Sequence, residues 1–307
     1  MFAIFRCPAT WRIAALLAAC MTLCACATQT VQTPPVPELR DHPRYDIESV
    51  DLLGMSTEMR QFVEAQARGH NLDDDRAWNL AYAMLDPFVL DFTYDPQVTL
   101  TAREAFRTRR GNCLTFSNMF VAMAREAGLN AWYREVEVPP EWSSIDDTLL
   151  VSMHVNAATA QRGREYVVDV SRRRARDGER VRRLSDHEAE AMFYNNLASE
   201  AIAREDYNTA YWLLRKTLEL TPNDAGPINT MAVVHRRVGD LAKAEEIYQY
   251  GIRYLDDKVS LLRNYRVLLE QQGRMDEVAQ INRKLTLLDD PSPFDWMHAG
   301  HSAYEDG

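Results

Sequence analysis

The sequence lacks several features that would assign a protein to a common functional class. Its 307 residues include 35 basic and 45 acidic side chains, giving a formal net charge of −10. This balance argues against a general nucleic-acid binder, because such proteins are usually basic. The sequence contains no phosphate loop and no dinucleotide motif. No spacing of histidines, cysteines and carboxylates matches a metal site, so we expect neither a metal nor a cofactor.

Long apolar runs are also missing. The apolar stretch from Ile13 to Leu23 is too short to span a bilayer comfortably. With Arg6 and Arg12 supplying positive charge, it has the pattern of an export signal, and an uncleaved anchor is the alternative. The whole chain is 46% hydrophobic and 26% charged, which is ordinary for a soluble globular protein.

The apolar stretch runs into Leu23-Cys24-Ala25-Cys26. This resembles the bacterial lipoprotein signal, in which a leucine and small residues precede the cysteine that is lipidated. The resemblance implies that residues 1–25 are removed and that Cys26 is acylated, with Cys24 as the second candidate. Several acyl chains would give lasting membrane attachment. Because Ala27 and not an aspartate follows, the resemblance also implies the outer membrane of the bacterial envelope, with the protein facing the periplasm.

Removal of the signal and acylation of Cys26 would leave few free cysteines. Of 5 cysteines, Cys7, Cys20 and Cys24 would leave with the signal and Cys26 would become a thioether. Cys113 is then the only free thiol of an exported protein, which excludes an intramolecular structural disulfide. A lone cysteine with a histidine and an aspartate elsewhere is a candidate nucleophile, and an inert buried cysteine is the alternative.

Cys113 lies where a turn is predicted to give way to a helix. Gly111 permits a tight turn, and apolar residues at helical spacing predict a helix from Cys113 to Ala127 that stops at Gly128. The unpaired amides and the dipole of a helix N-terminus favour negative charge. We therefore expect the thiolate of Cys113 to be stabilised over the thiol.

Two predicted strands supply the partners that a thiolate needs. Along residues 151–156 apolar side chains alternate with Ser152, His154 and Asn156, which places these three on one face. The next predicted strand, 165–171, carries Asp169. An antiparallel register that pairs residue 157 with residue 166 also pairs 154 with 169, so that Asp169 would orient the His154 ring.

These motifs resemble the transglutaminase-like domain, which belongs to the papain-like cysteine hydrolase fold. The resemblance covers roughly residues 75–172 and rests on Gly111-Asn112-Cys113, the following helix, and the His154 and Asp169 strands. It implies that Cys113 is the nucleophile, His154 the general base and acid, and Asp169 the orienting carboxylate. It also implies acyl transfer at amide or peptide bonds through a thioester, with hydrolysis slightly favoured over cross-linking.

The order of predicted elements indicates an α+β domain at residues 46–185. Helices are predicted over 46–69, 73–85 and 101–109 ahead of the Cys113 helix, and strands follow over 131–138, 148–157 and 165–171. Residues 26–45 contain Pro34-Pro35-Val36-Pro37 and predict a tether. An arginine-rich run over 172–183 is interpreted as a solvated loop, the alternative being a grip on phosphate groups.

Residues 186–307 show a repeat of 34 residues. Its registers start near residues 191, 225 and 259, with a partial fourth at 293. This period and pattern are typical of tetratricopeptide repeats, which form an all-α solenoid. We expect the concave surface of the solenoid to bind a protein partner.

Two hypotheses of different classes follow. In the first, the chain is a membrane-anchored cysteine peptidase, amidase or acyltransferase that acts on a protein or peptide substrate. In the second, it is a non-catalytic envelope scaffold that acts through its repeats. Reactivity of Cys113 that depends on His154 separates the two.

Overall fold

The computed structural model describes residues 47, 49–67, 73–145, 148–161, 164–170, 181–256 and 258–288. The predicted signal peptide, Cys26, the tether and the partial repeat at 293 lie outside these residues. Within the described part of the chain, no helix has the length and apolar character needed to cross a bilayer.

In the first half of the chain the helices precede the strands of the larger sheet, as predicted, although two short strands lie between helices. In the described residues after 184 only helices follow. The helices are α1 Thr57–Gln66, α2 Asp73–Leu85, α3 Ala102–Thr108, α4 Cys113–Glu126, α5 Asp186–Ala203, α6 Tyr207–Leu220, α7 Ala225–Arg237, α8 Leu241–Tyr254, α9 Val259–Gln271 and α10 Met275–Leu287. The strands are β1 Thr93–Tyr94, β2 Arg110–Gly111, β3 Ala131–Ile145, β4 Thr148–Gln161, β5 Arg164–Val168 and β6 Val181–Leu184.

Helix α4 forms the centre of the first half of the chain. Its residues from Leu114 to Ala124 are all buried, because it packs against α1, α2 and α3 on one side and against β3 and β4 on the other. A helix that is surrounded in this way must be apolar around most of its circumference. Only its two ends then remain near the surface, and Cys113 is the first residue of one of them.

Strands β3 to β6 form an antiparallel sheet in the order β5-β4-β3-β6. Strand β6 was not predicted, and it places Arg182 and Arg183 in a sheet and not in a loop. Arg182 forms ion pairs there with Glu135 on β3 and with Glu188 on α5. A charged strand at the edge of a sheet is common, because charge there opposes pairing with other chains.

The predicted register between β4 and β5 is wrong by two residues. Ala157 pairs with Val168 and not with Tyr166. Continuing this register, Asp169 follows the end of β5 at the level of Asn156, diagonal to His154. Since side chains alternate with a period of two, a shift of two residues keeps Asp169 on the face of His154.

The six helices described between residues 186 and 288 form three successive pairs. Helices α5 and α6, α7 and α8, and α9 and α10 pack against each other, and the first helices of neighbouring pairs also touch. The first helices of the pairs end at Ala203, Arg237 and Gln271, at intervals of 34 residues. The turn within each pair has a positive φ at Glu205, Gly239 and Gly273, again 34 residues apart.

The helical pairs are joined to the first half of the chain by specific polar contacts. The Arg125 guanidinium on α4 donates two hydrogen bonds to Asp186 at the start of α5, of 2.6 and 2.9 Å. The backbone N–H of Val50 donates to the hydroxyl of Tyr194 at 3.0 Å. Helix α9 also lies against β4, the strand that carries His154.

Candidate functional site

Cys113, His154 and Asp169 come from three elements and meet at one place. Cys113 is the first residue of α4, His154 lies on β4, and Asp169 follows the last residue of β5. Atom Nε2 of His154 is 2.6 Å from Oδ2 of Asp169. The Cys113 side chain lies close enough to the same imidazole to raise its pKa.

The carboxylate of Asp169 has a second partner that the sequence did not point to. The Nδ2 amide of Asn156 donates to the same Oδ2 atom at 3.1 Å. Asn156 is 5% exposed, so its amide is fixed by packing on β4. It was expected to share a face with His154, and that alternation was the available signal. Its partner was not predictable, because the register that brings it to Asp169 differs from the assumed one.

The imidazole of His154 favours its protonated form. Burial by itself would lower the pKa of His154, since it disfavours the charged ring. The hydrogen bonds and the negative charges of Asp169 and Cys113 outweigh burial and raise the pKa to about 10. The arrangement therefore supports a protonated His154 ring beside the Asp169 carboxylate at neutral pH.

The turn before Cys113 is fixed by capping and by the absence of a side chain at Gly111. Asn112 is the N-cap of α4, and its Oδ1 accepts from the Thr115 N–H at 2.9 Å. The amide of Cys113 is among the first-turn donors without an intrahelical acceptor. Gly111 has a φ of +154°, and a Cβ there would lie 2.6 Å from the Cβ of Thr115. A glycine is required at this position by both the backbone conformation and the space.

The comparison with protein families agrees with this geometry. Residues 60–163 match the family model described as the transglutaminase-like superfamily. These residues form a transglutaminase-like domain. The matched range includes Cys113 and His154 and ends before Asp169. A comparison with curated protein sequences gave no match.

A groove adjoins the carboxylate side of the site in the transglutaminase-like domain. It has a volume of about 770 Å³ and lies between α2 and β5, with Asp169 at one end. Its walls include Trp78 and Tyr82 on α2 and Val167 on β5, which are 71%, 59% and 48% exposed. Exposed aromatic and aliphatic groups in a concave surface are typical of a site that receives a ligand.

Arg134 on β3 forms an ion pair with a residue of β5, the strand on the other side of β4. It is 7% exposed, lies on β3 opposite Asn156, and its Nη1 is 2.7 Å from Oε1 of Glu165 on β5. A buried guanidinium needs such a partner, because an unpaired buried charge is costly. This ion pair bridges the strands on both sides of β4. Among the residues that the structure describes, no cluster of three histidines, cysteines or carboxylates is placed to hold a metal ion.

Proposed function

We propose that the transglutaminase-like domain is a cysteine-dependent enzyme that acts on amide or peptide bonds through a thioester. Cys113 serves as the nucleophile, His154 as the general acid and base, and Asp169 as the group that orients His154. The observation that carries the proposal is the imidazole of His154, which has the Asp169 carboxylate at 2.6 Å and the Cys113 side chain close enough to raise its pKa. This arrangement is the geometric requirement for an activated thiol.

In the first step, the thiolate sulfur of Cys113 attacks the carbonyl carbon of the substrate. The carbonyl π electrons move to oxygen, near the first-turn amide of Cys113, which is suited to donate to the oxyanion. When the tetrahedral species collapses, the C–N bond breaks and the imidazolium of His154 gives its proton to the departing amine. The product is an acyl thioester on Cys113 and a neutral imidazole.

In the second step, neutral His154 takes a proton from the incoming nucleophile. If that nucleophile is water, the acid is released and the reaction is hydrolysis; if it is an amine of another molecule, an amide is formed and the reaction is cross-linking. We favour hydrolysis, and we assign the groove beside Asp169 to the substrate, because its apolar walls suit a peptide segment.

The test of this proposal is the rate at which Cys113 reacts with iodoacetamide at pH 6.5. We expect His154→Ala to lower this rate about tenfold or more, because the imidazolium no longer stabilises the thiolate. His187→Ala, at an exposed position on α5, is the matched control and should react like the wild type. If Cys113 is alkylated only after unfolding, or if His154→Ala leaves the rate unchanged, the scaffold hypothesis replaces this one.

The reaction type is tested by incubating the protein with envelope peptides and measuring their intact masses. Hydrolysis of a side-chain amide releases one ammonia, cleavage of the chain gives two shorter peptides, and cross-linking gives one larger product. All three should be lost in Cys113→Ala. Products that persist in this variant would contradict a mechanism through Cys113.

We further propose that the protein is anchored in the outer membrane of the bacterial envelope through lipidated Cys26 and faces the periplasm. The support is the sequence Leu23-Cys24-Ala25-Cys26 behind a short apolar run. Membrane fractionation of Cys26→Ser tests the anchor. The variant should move to the soluble fraction, and unchanged fractionation would contradict it.

The helices after residue 186 are proposed to be tetratricopeptide repeats that bind a protein partner. Their support is the constant interval of 34 residues between helix ends and between the positive-φ turns at Glu205, Gly239 and Gly273. Arrays of this kind bind partners on the surface formed by the first helix of each pair. Site-specific photo-crosslinkers on the first helices, α5, α7 and α9, should capture a protein partner. Crosslinkers on the second helices, α6, α8 and α10, should not capture it.

A further inference from the structure

One carboxylate of the helical region makes a hydrogen bond in the neighbourhood of the thiol. Glu200 lies on α5, and its Oε1 accepts from the backbone N–H of Thr99 at 2.9 Å. The two residues are 101 positions apart in sequence. Thr99 is 4% exposed, so its N–H has no compensation from bulk water, and an unpaired donor there would be destabilising.

Thr99 is directly connected to the residue that precedes the nucleophile. Its Oγ1 accepts from the Nδ2 amide of Asn112 at 2.8 Å. The other end of the Asn112 side chain, Oδ1, accepts from the Thr115 N–H and thereby caps α4. Glu200, Thr99 and Asn112 therefore form one series of hydrogen bonds that ends at the first turn of α4.

The neighbours of Thr99 are bound to the same turn. The Asn112 N–H donates to the carbonyl of Val98 at 2.9 Å, and the Leu100 N–H donates to Oγ1 of Thr115 at 2.8 Å. The Nδ2 amide of Asn118 donates to the Leu100 carbonyl at 3.2 Å. Residues 98–100 are thus a short strap across the start of α4, held by α4 on one side and by Glu200 on the other.

The environment of Glu200 indicates that its contact with the strap is specific. Burial raises the pKa of the Glu200 carboxyl, and the hydrogen bonds to Thr99 oppose this shift without cancelling it. Burying a carboxylate costs free energy unless it is hydrogen-bonded. The hydrogen-bonding partner of the Glu200 carboxylate is the strap. Arg125 and Asp186 fix the start of the same helix to α4, so α5 is held at both ends relative to the site.

We infer that Glu200 is a positioning residue for Cys113, so that the position of helix α5 relative to α4 sets the reactivity of the thiol. The inference rests on the proposed function and adds a regulatory role for the helical region. Removing the Glu200 carboxylate frees the strap, which loosens Asn112 and the cap of α4. A partner that shifts α5 would change the rate of the thiol through the same contacts.

The experiment compares iodoacetamide alkylation of Cys113 at pH 6.5 and pH 9.5 in the full chain. Glu200→Ala should lower the rate at pH 6.5 by about tenfold, because a displaced Cys113 loses contact with the His154 imidazolium that favours its thiolate. At pH 9.5 the loss should be smaller, because thiols without a cationic partner are then largely deprotonated. Glu200→Gln should restore most of the rate, because its amide oxygen still accepts from Thr99.

Matched controls separate this role from general destabilisation. Glu219→Ala removes an exposed carboxylate of α6 and should leave both rates unchanged. Simple loosening of the fold would expose the thiol and raise the rate at both pH values, which would overturn the inference. Equal rates in Glu200→Ala and the wild type, together with a slow His154→Ala, would overturn it while leaving the proposed function intact.

A second variant tests the same series of hydrogen bonds and keeps the inference testable if Glu200→Ala does not fold. Thr99→Ala keeps the N–H that Glu200 binds and removes the hydroxyl that contacts both Asn112 and Glu200. It should lower the rate at pH 6.5 by a similar factor, and the double variant should lose less than the product of the two losses, because both changes break one series of contacts. Independent, multiplicative losses would contradict a shared path.

Discussion

At the scale of single residues, the chemistry of the site depends on how one imidazole is shared. His154 has a carboxylate on Nε2 and a thiol as its other partner, and their combined attraction exceeds the penalty of burial. Asn156 restrains the carboxylate by donating to the same oxygen at 3.1 Å. The ring is therefore held in orientation and in charge by groups from two strands and a helix.

The raised pKa of His154 makes folding stability depend on pH. The unfolded chain releases this proton near 6.5, whereas the folded protein retains it towards about 10. Between these values the folded state binds more protons, so this contribution is complete below pH 6.5 and is lost as pH rises, with a slope of at most about 1.4 kcal/mol per pH unit. Urea unfolding of Cys113→Ser, in which no thiol titrates at residue 113, should show this decline above pH 6.5.

The control for this dependence is the same variant with Asp169→Asn added. Loss of the carboxylate removes the main attraction that raises the pKa of His154, so the curve of unfolding free energy against pH should become flatter over the same window. A decline of equal slope in both variants would show that Asp169 does not hold the proton on the ring.

The glycine before Asn112 should be among the least replaceable residues of the chain. In Gly111→Ala, the new Cβ would meet the Thr115 side chain at 2.2 and 2.6 Å from its carbon atoms. We expect a loss of about 1–3 kcal/mol in unfolding free energy and slower alkylation of Cys113 in the molecules that fold. Gly128→Ala also has a positive φ but has no atom within 4 Å of the new Cβ, so it should lower stability less and leave alkylation unchanged.

At the scale of elements, the helices were easier to predict than the pairing of strands. The bounds of α2 and α4 agree with the sequence to within one residue, because caps, stops and apolar spacing act locally. Helix α1 is shorter than the predicted 46–69 and spans Thr57–Gln66, beginning after the Ser56 cap. The β4–β5 register depends on contacts between distant residues, and alternation alone could give the face of Asp169 but not its opposite residue.

The capping box of α3 supports the turn that leads to Cys113. Oγ1 of Thr101 accepts from the Glu104 N–H, and the Glu104 carboxylate accepts from the Thr101 N–H at 3.0 Å. Thr101→Ala should cost about 1 kcal/mol, since it removes the N-cap acceptor. The control is Thr108→Ala at an exposed position in the last turn of the same helix, expected to change stability by less than about 0.5 kcal/mol. Equal midpoints in thermal unfolding of both variants would contradict the role of the cap.

At the scale of the whole molecule, the transglutaminase-like domain and the helices after residue 186 share one core. Buried residues of β3 and α4 and buried residues of α5 to α10 belong to a single continuous cluster. The 34-residue period of the sequence predicted these helices. Their contacts with the strap at residues 98–100 and with β4 were not predictable, because they depend on how the two parts pack and not on any local pattern.

A shared core predicts that the two parts unfold together. Leu214 on α6 is fully buried, and Leu214→Ala should cost about 2–5 kcal/mol. We expect the loss of helical circular dichroism and the exposure of Cys113 to a bulky thiol reagent to shift to lower temperature by the same amount. If the helical signal is lost earlier while Cys113 remains protected, the two parts unfold independently and the account of their coupling fails.

The central claim, that His154 is an imidazolium held between Asp169 and Cys113, is tested most directly by nuclear magnetic resonance of the labelled ring. The His154 signal is assigned by its disappearance in His154→Gln, and its shift is followed from pH 5 to pH 10.5. The account predicts a titration midpoint far above 7, near 10, that falls in Asp169→Asn and in Cys113→Ala. A midpoint at or below about 6.5 in the wild-type protein would contradict it.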